Sequence, residues 1–349
     1  MNIFFINLES NPILKGVGKF VAASKATADV KRLMLDIPSV RYVSIVRHTD
    51  HKIWGVLEIM ISLFWRFLFI QKEACLFVQY PIVNINGYYP FRKQLKKRRT
   101  IAIVHDLQSY RYPHFLHLRN KELSILNSMS CLIVHSEAMK ERLKADGVDT
   151  PMVVLGIFDY LLNPEQHIRA KKNTIVFAGA LDKSLFLRDF HKLDFGMLTL
   201  NTYGAFKPDV AYSNNMEYKG RFLPDDISSI EGEWGLMWDG DSIDISGGYF
   251  GEYLTLIAPH KLSLYIACGL KIIIWEGAAM ASLIKSKGLG ITINSLKDIP
   301  ERIASLSKED IMKIEKNVLN FGKEIREGKM FAQALELAFT IVNKEGKKN

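Results

Sequence analysis

Residues 234–275 read WGLMWDGDSIDISGGYFGEYLTLIAPHKLSLYIACGLKIIIW, and the spacing of apolar and turn residues in this stretch decides the fold. Gly235–Trp238 and Lys271–Trp275 are short apolar runs of strand length, and Pro259–Cys268 sets apolar residues at helical spacing between them. Neither strand alternates with polar residues, so each is covered on both faces, as in a parallel sheet. Parallel strands need a crossover, and the helix supplies it. Between strand and helix, Asp239-Gly240-Asp241-Ser242 and Gly248-Tyr249-Phe250-Gly251-Glu252-Tyr253 read as turn and loop.

The same alternation runs outward in both directions. In the second half, Thr174–Phe177, Gly196–Leu200 and Gly290–Ile293 are further strands. Helices are expected at Asp226–Ile230, Ala278–Ser286, Lys297–Ser305, Lys308–Phe321 and Met330–Asn343. In the first half, strands at Ile3–Ile6, Val43–Val46, Cys75–Gln79, Thr100–Val104 and Cys131–Val134 alternate with helical patterns at Phe20–Leu35, Trp54–Ile70, Phe91–Arg98, Arg119–Asn127 and Glu137–Asp146. A hinge-like stretch, Gly156 to Asn173, separates the halves. The expected class is α/β, with two doubly wound Rossmann-like domains over residues 1–160 and 170–330, a closing helix over 331–349, and an interdomain cleft. Ligands of such sheets bind at the carboxyl ends of the strands.

Composition agrees. With 349 residues, 48% hydrophobic and 24% charged, the chain is neither disordered nor collagen-like, and it exceeds what one core usually supports. Cys75, Cys131 and Cys268 each lie in an apolar run without a CxxC pair, which argues against a zinc site or a disulfide framework and suits a reducing cytoplasm. The first ten residues lack the features of a signal peptide. The net charge of +9 arises entirely within residues 1–170, where 23 Lys and Arg face 14 Asp and Glu. That half is expected to meet something anionic. Six of its positive charges, Arg92, Lys93, Lys96, Lys97, Arg98 and Arg99, fall in eight positions, beside an aromatic-rich run, Ile53 to Ile70. Glu58 and Arg66 interrupt that run, so a buried helix or one touching a membrane surface is expected rather than a spanning one. No motif for nucleic acid accompanies the charge.

Three loops carry residues suited to anion chemistry. Pro259 suits the first helical position, which sets free N–H groups of a helix start beside His260 and Lys261. Gly16 and Gly18 follow the first strand and permit close approach of a phosphate or sugar, although Val21 breaks the GxGxxG pattern. Gly179 and Lys183 follow the strand Thr174–Phe177. Each could equally be a tight turn or a solvated lysine. His105 and Asp106, at the end of the fourth strand and ahead of Arg111, form a candidate general-base pair, or else a capped turn with a satisfied neighbour. No P-loop, GxSxG elbow or HExxH is present.

His105-Asp106-Leu107-Gln108-Ser109-Tyr110-Arg111, Trp238-Asp239-Gly240-Asp241-Ser242, the Gly248–Tyr253 loop and the Pro259–Gly269 segment together resemble a bacterial GT-B glycosyltransferase family. It includes β-1,6-galactofuranosyltransferases and the glucosyltransferases that extend O-linked GlcNAc on streptococcal adhesins. The resemblance implies a UDP-sugar donor held mainly by the C-terminal domain, a glycan acceptor, lipid-linked in some settings, held mainly by the N-terminal one, and a last helix crossing back. It implies no metal and no other cofactor, despite the DxD spelling of Asp239-Gly240-Asp241. By position it assigns His260, Lys261, Leu262 and Ser263 to the nucleotide-binding helix start, Lys183 to a basic donor position, Tyr218 to a donor contact, and Gly16 and Gly18 to a loop near the donor. The Glu-x7-Glu of familiar retaining enzymes is missing, with Leu256 and Leu264 in its place, so retention or inversion stays open. Lys271 stands where relatives often have proline, and Lys183 where some have arginine. The expected activity is hexosyl transfer, galactofuranosyl or glucosyl, in surface polysaccharide or glycoprotein synthesis. The expected location is cytoplasmic, peripheral on the inner face of an anionic membrane, with homo-oligomerisation open. A UDP-sugar epimerase and a non-catalytic partner of the same fold are the alternatives.

Overall fold

The computed structural model describes residues 2–9, 22–49, 51–205, 209 and 215–345. Its described residues group into two compact units. One comprises 2–9, 27–155 and 331–345, and the other 22–26 and 156–330.

The first unit holds six parallel strands: β1 (Ile3–Glu9), β2 (Val40–Val46), β3 (Cys75–Tyr80), β4 (Arg99–Val104), β5 (Cys131–Val134) and β6 (Met152–Val154). They lie in the order β2-β1-β3-β4-β5-β6, so the winding reverses between β1 and β3. Every residue of β3 and β5 is buried, as expected of parallel strands covered on both faces. Cys75 and Cys131 are free thiols within these strands, and Cys268 is free and buried in the second unit. Burial pushes the Cys75 thiol up to about 11 and that of Cys268 up to about 12, so both remain protonated core residues.

The second unit holds β7 (Arg169–Ala178), β8 (Thr199–Tyr203), β9 (Met216–Tyr218), β10 (Glu231–Met237), β11 (Lys271–Trp275) and β12 (Gly290–Ile293), again all parallel. Their order, β12-β11-β10-β7-β8-β9, is the order of a doubly wound dinucleotide-binding sheet, with the switch point between β7 and β10. Period-2 alternation feeds two cores. Ile175, Phe177 and Ile273 pack on one face, and Val176, Ala178, Ile272 and Ile274 on the other.

Several expected boundaries move. The charged run Arg169–Asn173 belongs to β7, not to a hinge: its five residues are exposed while the next five are buried, so this end of the strand lacks the apolar pattern that marks strands in sequence. The strand expected at Gly196 begins at Thr199, because Gly196 sits in a left-handed turn (φ 54°) with its N–H bound to Asp194 Oδ1. Asp226–Ile230 is a turn rather than a helix. Gly248–Tyr253 is helical rather than a loop. Pro259 is the N-cap instead of the first helical residue, since its ψ of 139° is extended, and the helix runs His260–Ala267. The strands β6 and β9, three residues each, have too few apolar positions to show a period.

The helix His260–Ala267 is seated on the sheet by a glycine. At Gly235 of β10 an added Cβ would stand 2.5 Å from Cγ of Tyr265, so the ring lies directly on the strand. From there the Tyr265 hydroxyl accepts the Ala178 N–H at 2.8 Å, at the carboxyl end of β7. Arg326 Nε donates to Ala267 O at 2.8 Å, a positive charge at the carboxyl end of the same helix, where the helix dipole favours it. Gly235→Ala is therefore expected to cost about 1–3 kcal/mol through overpacking, read as a lower urea midpoint with an unchanged slope.

Candidate functional site

In the second unit the candidate residues gather at the carboxyl ends of β7 and β10, the switch point of the sheet. Lys261, in the first turn of its helix, donates to Asp239 Oδ1 at 2.7 Å and to Trp238 O at 3.0 Å, both just past β10. Its Nζ lies 4.9 Å from the centre of the Phe177 ring on β7. The side chain is largely buried, so these partners fix the ammonium in place. The turn that carries Asp239 is itself braced. Trp238 Nε1 donates to Ser242 O at 2.9 Å, and Ser246 Oγ to Asp239 O at 2.7 Å. Gly240 has φ 114°, and a Cβ there would meet Gly247 O at 2.2 Å, so glycine is required for the turn to close. Asp239, spelled as half of a DxD, is thus the counter-charge of Lys261.

The start of the helix has no capping side chain and no acidic residue in its first turn. His260 stacks near Tyr160, with centroids 5.0 Å apart, and its ring nitrogens are withdrawn from water. Burial, helped by the Lys25 charge, pushes its pKa down to about 3, so it is neutral at physiological pH and adds no charge to an anion site. Leu262 and Ser263 are fully buried. The leucine joins the core with its N–H bound to Pro259 O at 2.9 Å, and the Ser263 hydroxyl is without a partner. Lys183 is exposed on a 3-10 turn (Leu181–Lys183) just beyond β7, on the same edge of the sheet. Tyr218 ends β9, two strands from β7 and so about 10 Å away by strand spacing, with its hydroxyl bound to Gly204 O at 3.0 Å. Lys271 does not belong here. It opens β11 at the opposite, amino end of the sheet, where it binds Glu233 and Glu315, each at 2.9 Å. Gly16 and Gly18 lie outside the described residues.

In the first unit, His105 and Asp106 follow β4, as expected, but each has its own partner. Asp106 Oδ2 accepts from Arg111 Nη1 at 2.8 Å, while His105 Nε2 lies 2.6 Å from Gln79 Oε1. Gln79 gives its amide hydrogens to Asn7 Oδ1 (2.9 Å) and Thr27 O (3.1 Å), so its oxygen must accept and His105 must donate from Nε2. The neutral imidazole then carries its lone pair on Nδ1. The short helix that follows is held from below by Glu122, a buried carboxylate accepting Gln108 N–H (3.0 Å), Ser109 N–H (2.8 Å) and Tyr80 OH (3.0 Å). Sequence reading overlooked Asp239 as a counter-charge, Tyr265 as the anchor and Gln79 as the partner of His105. Only the first had a usable signal: in a βαβ unit the helix start returns past the end of its first strand, which pairs the residue after β10 with the first helical turn.

The profile of the Glucosyltransferase 3-like N-terminal domain matches residues 15–157, and that of the Glucosyltransferase 3-like C-terminal domain matches residues 175–338. The chain belongs to this family. Among its relatives, the β-1,6-galactofuranosyltransferase WbbI of Escherichia coli (strain K12) is 26% identical over 326 residues, 90% of this chain and 93% of the relative. Glucosyltransferase 3 of Streptococcus parasanguinis is 21% identical over 231 residues, 66% of this chain and 67% of the relative. Among solved structures, WaaG, a glycosyltransferase involved in lipopolysaccharide biosynthesis, matches at a TM-score of 0.54 and 9% identity over 97% of this chain and 99% of its own. The sucrose-phosphate synthase of Thermosynechococcus elongatus matches at 0.58 and 11% over 99% and 98%. These structures speak for the fold, GT-B, and family membership makes the Glucosyltransferase 3-like chain a glycosyltransferase, in agreement with the resemblance carried by its motifs.

Two outcomes test the site chemistry. His135, buried with Nε2 on Val104 O, has its pKa pushed down to about 4 by desolvation, and His260 behaves alike. Their folded-state values lie below the unfolded value, so the stability they contribute is full above about pH 6.5 and is lost as pH falls towards 4. His135 alone should account for about 3 kcal/mol, recovered in His135→Gln as a flatter pH dependence of the urea midpoint over that window. For His105, long-range 1H–15N spectra should show the Nε2–H tautomer in the native chain and a mixture in Gln79→Leu. A native chain already mixed would refute the Gln79 constraint.

Proposed function

We propose that this glycosyltransferase moves a hexosyl group, galactofuranosyl or glucosyl, from a UDP-sugar to a hydroxyl of a glycan acceptor without a metal ion. The observation that carries the reading is Lys261, fixed at the switch point beside an uncapped helix start. In the reaction the acceptor oxygen bonds to the anomeric carbon, the bond from that carbon to the UDP oxygen breaks, and the diphosphate leaves with the negative charge. Lys261 and the N–H groups of His260 and Lys261 at the helix start would receive that charge, with Lys183 adding a second cation. Two of the three N–H bonds of Lys261 are taken by Asp239 and Trp238, which leaves one for a phosphate oxygen. Tyr218, its own hydrogen committed to Gly204 O, would accept a hydrogen bond from the donor.

Acceptor activation falls to His105 or Asp106. Either would take the proton of the acceptor hydroxyl, His105 held by Gln79 and Asp106 paired with Arg111. Gly16 and Gly18 would complete the donor loop. The acceptor would be a growing surface glycan, on a lipid or a protein, met at the cytoplasmic face of the membrane. The names of WbbI and Glucosyltransferase 3 support both candidate sugars.

Incubation with a panel of UDP-hexoses, with and without a lipid-linked acceptor and in EDTA, is expected to give acceptor-dependent UDP release. Acceptor-free isomerisation of the donor, or no reaction with any of them, would sink the reading in favour of an epimerase or a non-catalytic partner. Lys261→Ala should lower turnover at least about tenfold, the loss of one charge-assisted contact to the leaving group. Unchanged turnover would remove Lys261 from that role.

A further inference from the structure

The helix Lys52–Phe69 is apolar on two sides. Its inner stripe, Gly55, Ile59, Leu63 and Phe67, is buried at spacings of four. Its outer side exposes Trp54, Ile61, Phe64, Trp65, Leu68 and Phe69, each by half or more and Phe69 by 80%. Trp65 stacks on Phe69 and meets Phe64 edge-on, so the rings form one continuous patch. Among the described residues no helix is long and apolar enough to cross a membrane, and this one commits its inner stripe to the protein. The outer face therefore calls for a covering partner.

Charge identifies the partner. Residues 51–100 hold nine Lys and Arg against two Glu. One of these, Glu58, is taken by His48, whose backbone N–H it accepts at 2.9 Å. Arg66 on the helix and Lys72 just beyond it are exposed, as are Lys93, Lys96 and Lys97. The segment bearing the last three is fastened to the helix end: Arg98 Nη2 donates to Phe67 O at 2.6 Å, and the Phe91 ring lies 5.7 Å from that of Phe67. An aromatic face rimmed by cations is the composition of a helix that lies in a bilayer interface. A second copy in an isologous contact would bring the same cationic rim against itself, whereas anionic headgroups neutralise it.

We propose that the outer face of Lys52–Phe69, with its Lys93–Lys97 rim, docks the protein on an anionic lipid surface. The inference deepens the membrane-side acceptor reading above by naming the surface, and its test needs neither donor nor acceptor.

Sedimentation with vesicles of phosphatidylcholine containing about 30 mol% phosphatidylglycerol, at low and high salt, decides it. Expected are binding to these vesicles, little to phosphatidylcholine alone, release by salt, and a blue shift of fluorescence from Trp54 and Trp65, the other tryptophans being buried or half-buried. Phe64→Ser with Leu68→Ser, and separately Lys93→Glu with Lys96→Glu and Lys97→Glu, should each lower partitioning by roughly tenfold or more. Unchanged near-UV circular dichroism and Tm would show that each variant is folded. Absence of vesicle binding, or binding insensitive to lipid charge, overturns the proposal. So does light scattering that finds a dimer dissolved by the Phe64→Ser and Leu68→Ser pair, which would assign the face to a second copy. Failure here leaves UDP release untouched, and failure of UDP release leaves vesicle binding untouched, so the two readings fall separately.

Discussion

The seat of Tyr265 on Gly235 is the constraint from which the candidate donor site follows. A residue with any side chain on β10 at that point would lift the helix His260–Ala267 off the sheet. With glycine there, the ring lies on the strand and the hydroxyl reaches the Ala178 N–H that ends β7. The contact joins the helix to both strands that flank the switch point. It also satisfies a buried backbone donor at the place where β7 turns outward, a group whose loss of a partner would cost about 1–3 kcal/mol. The helix start is therefore held where the strand ends converge, and Lys261 with it.

That placement runs against local electrostatics. A helix start carries positive partial charge and prefers acidic residues, yet the first turn here has none and bears a lysine instead. The fold tolerates the excess because Asp239 and the Trp238 carbonyl lie within hydrogen-bond reach of the ammonium. They hold the cation without closing the site, and an incoming diphosphate would complete the neutralisation. Cations already in position need no reorganisation when charge develops on a leaving group.

How much of this the sequence displayed depends on whether a local pattern carried the signal. The doubly wound class was legible because β3, β5 and β11 are near-continuous apolar runs, broken only by Gln79 and Lys271, set between helical periods. The charged half of β7 was not, since exposed strand residues follow no hydrophobic rule. The helix start was legible from Pro259-His260-Lys261, although the extended ψ of Pro259 moved the boundary by one residue. His105 and Asp106 were found by their position after β4, but their neighbours in sequence did not reveal their partners. Gln79 sits on the adjacent strand, and its links to Asn7 on β1 and to Thr27 on the helix Ala22–Leu35 come from register across the sheet and from the packing of a helix on it. Contacts of that kind depend on which strands lie side by side, which no single segment encodes.

Lys271 and Lys261, one buried and one largely so, show why residue type alone misleads. Lys271 and Lys261 both lie near β10, both approach an aromatic ring, and both are withdrawn from water. Lys271 meets two carboxylates at the amino end of the sheet, so its charge is more than balanced and it serves as a closed structural bridge between Glu233 on β10 and Glu315 on the helix Lys308–Arg326. Lys261 has one carboxylate and one carbonyl at the carboxyl end, and it shares that end with the positive pole of its own helix. One cation is electrically complete and the other is not. The difference rests on which end of the strand each occupies, and it makes Lys261 the lysine suited to receive an anion.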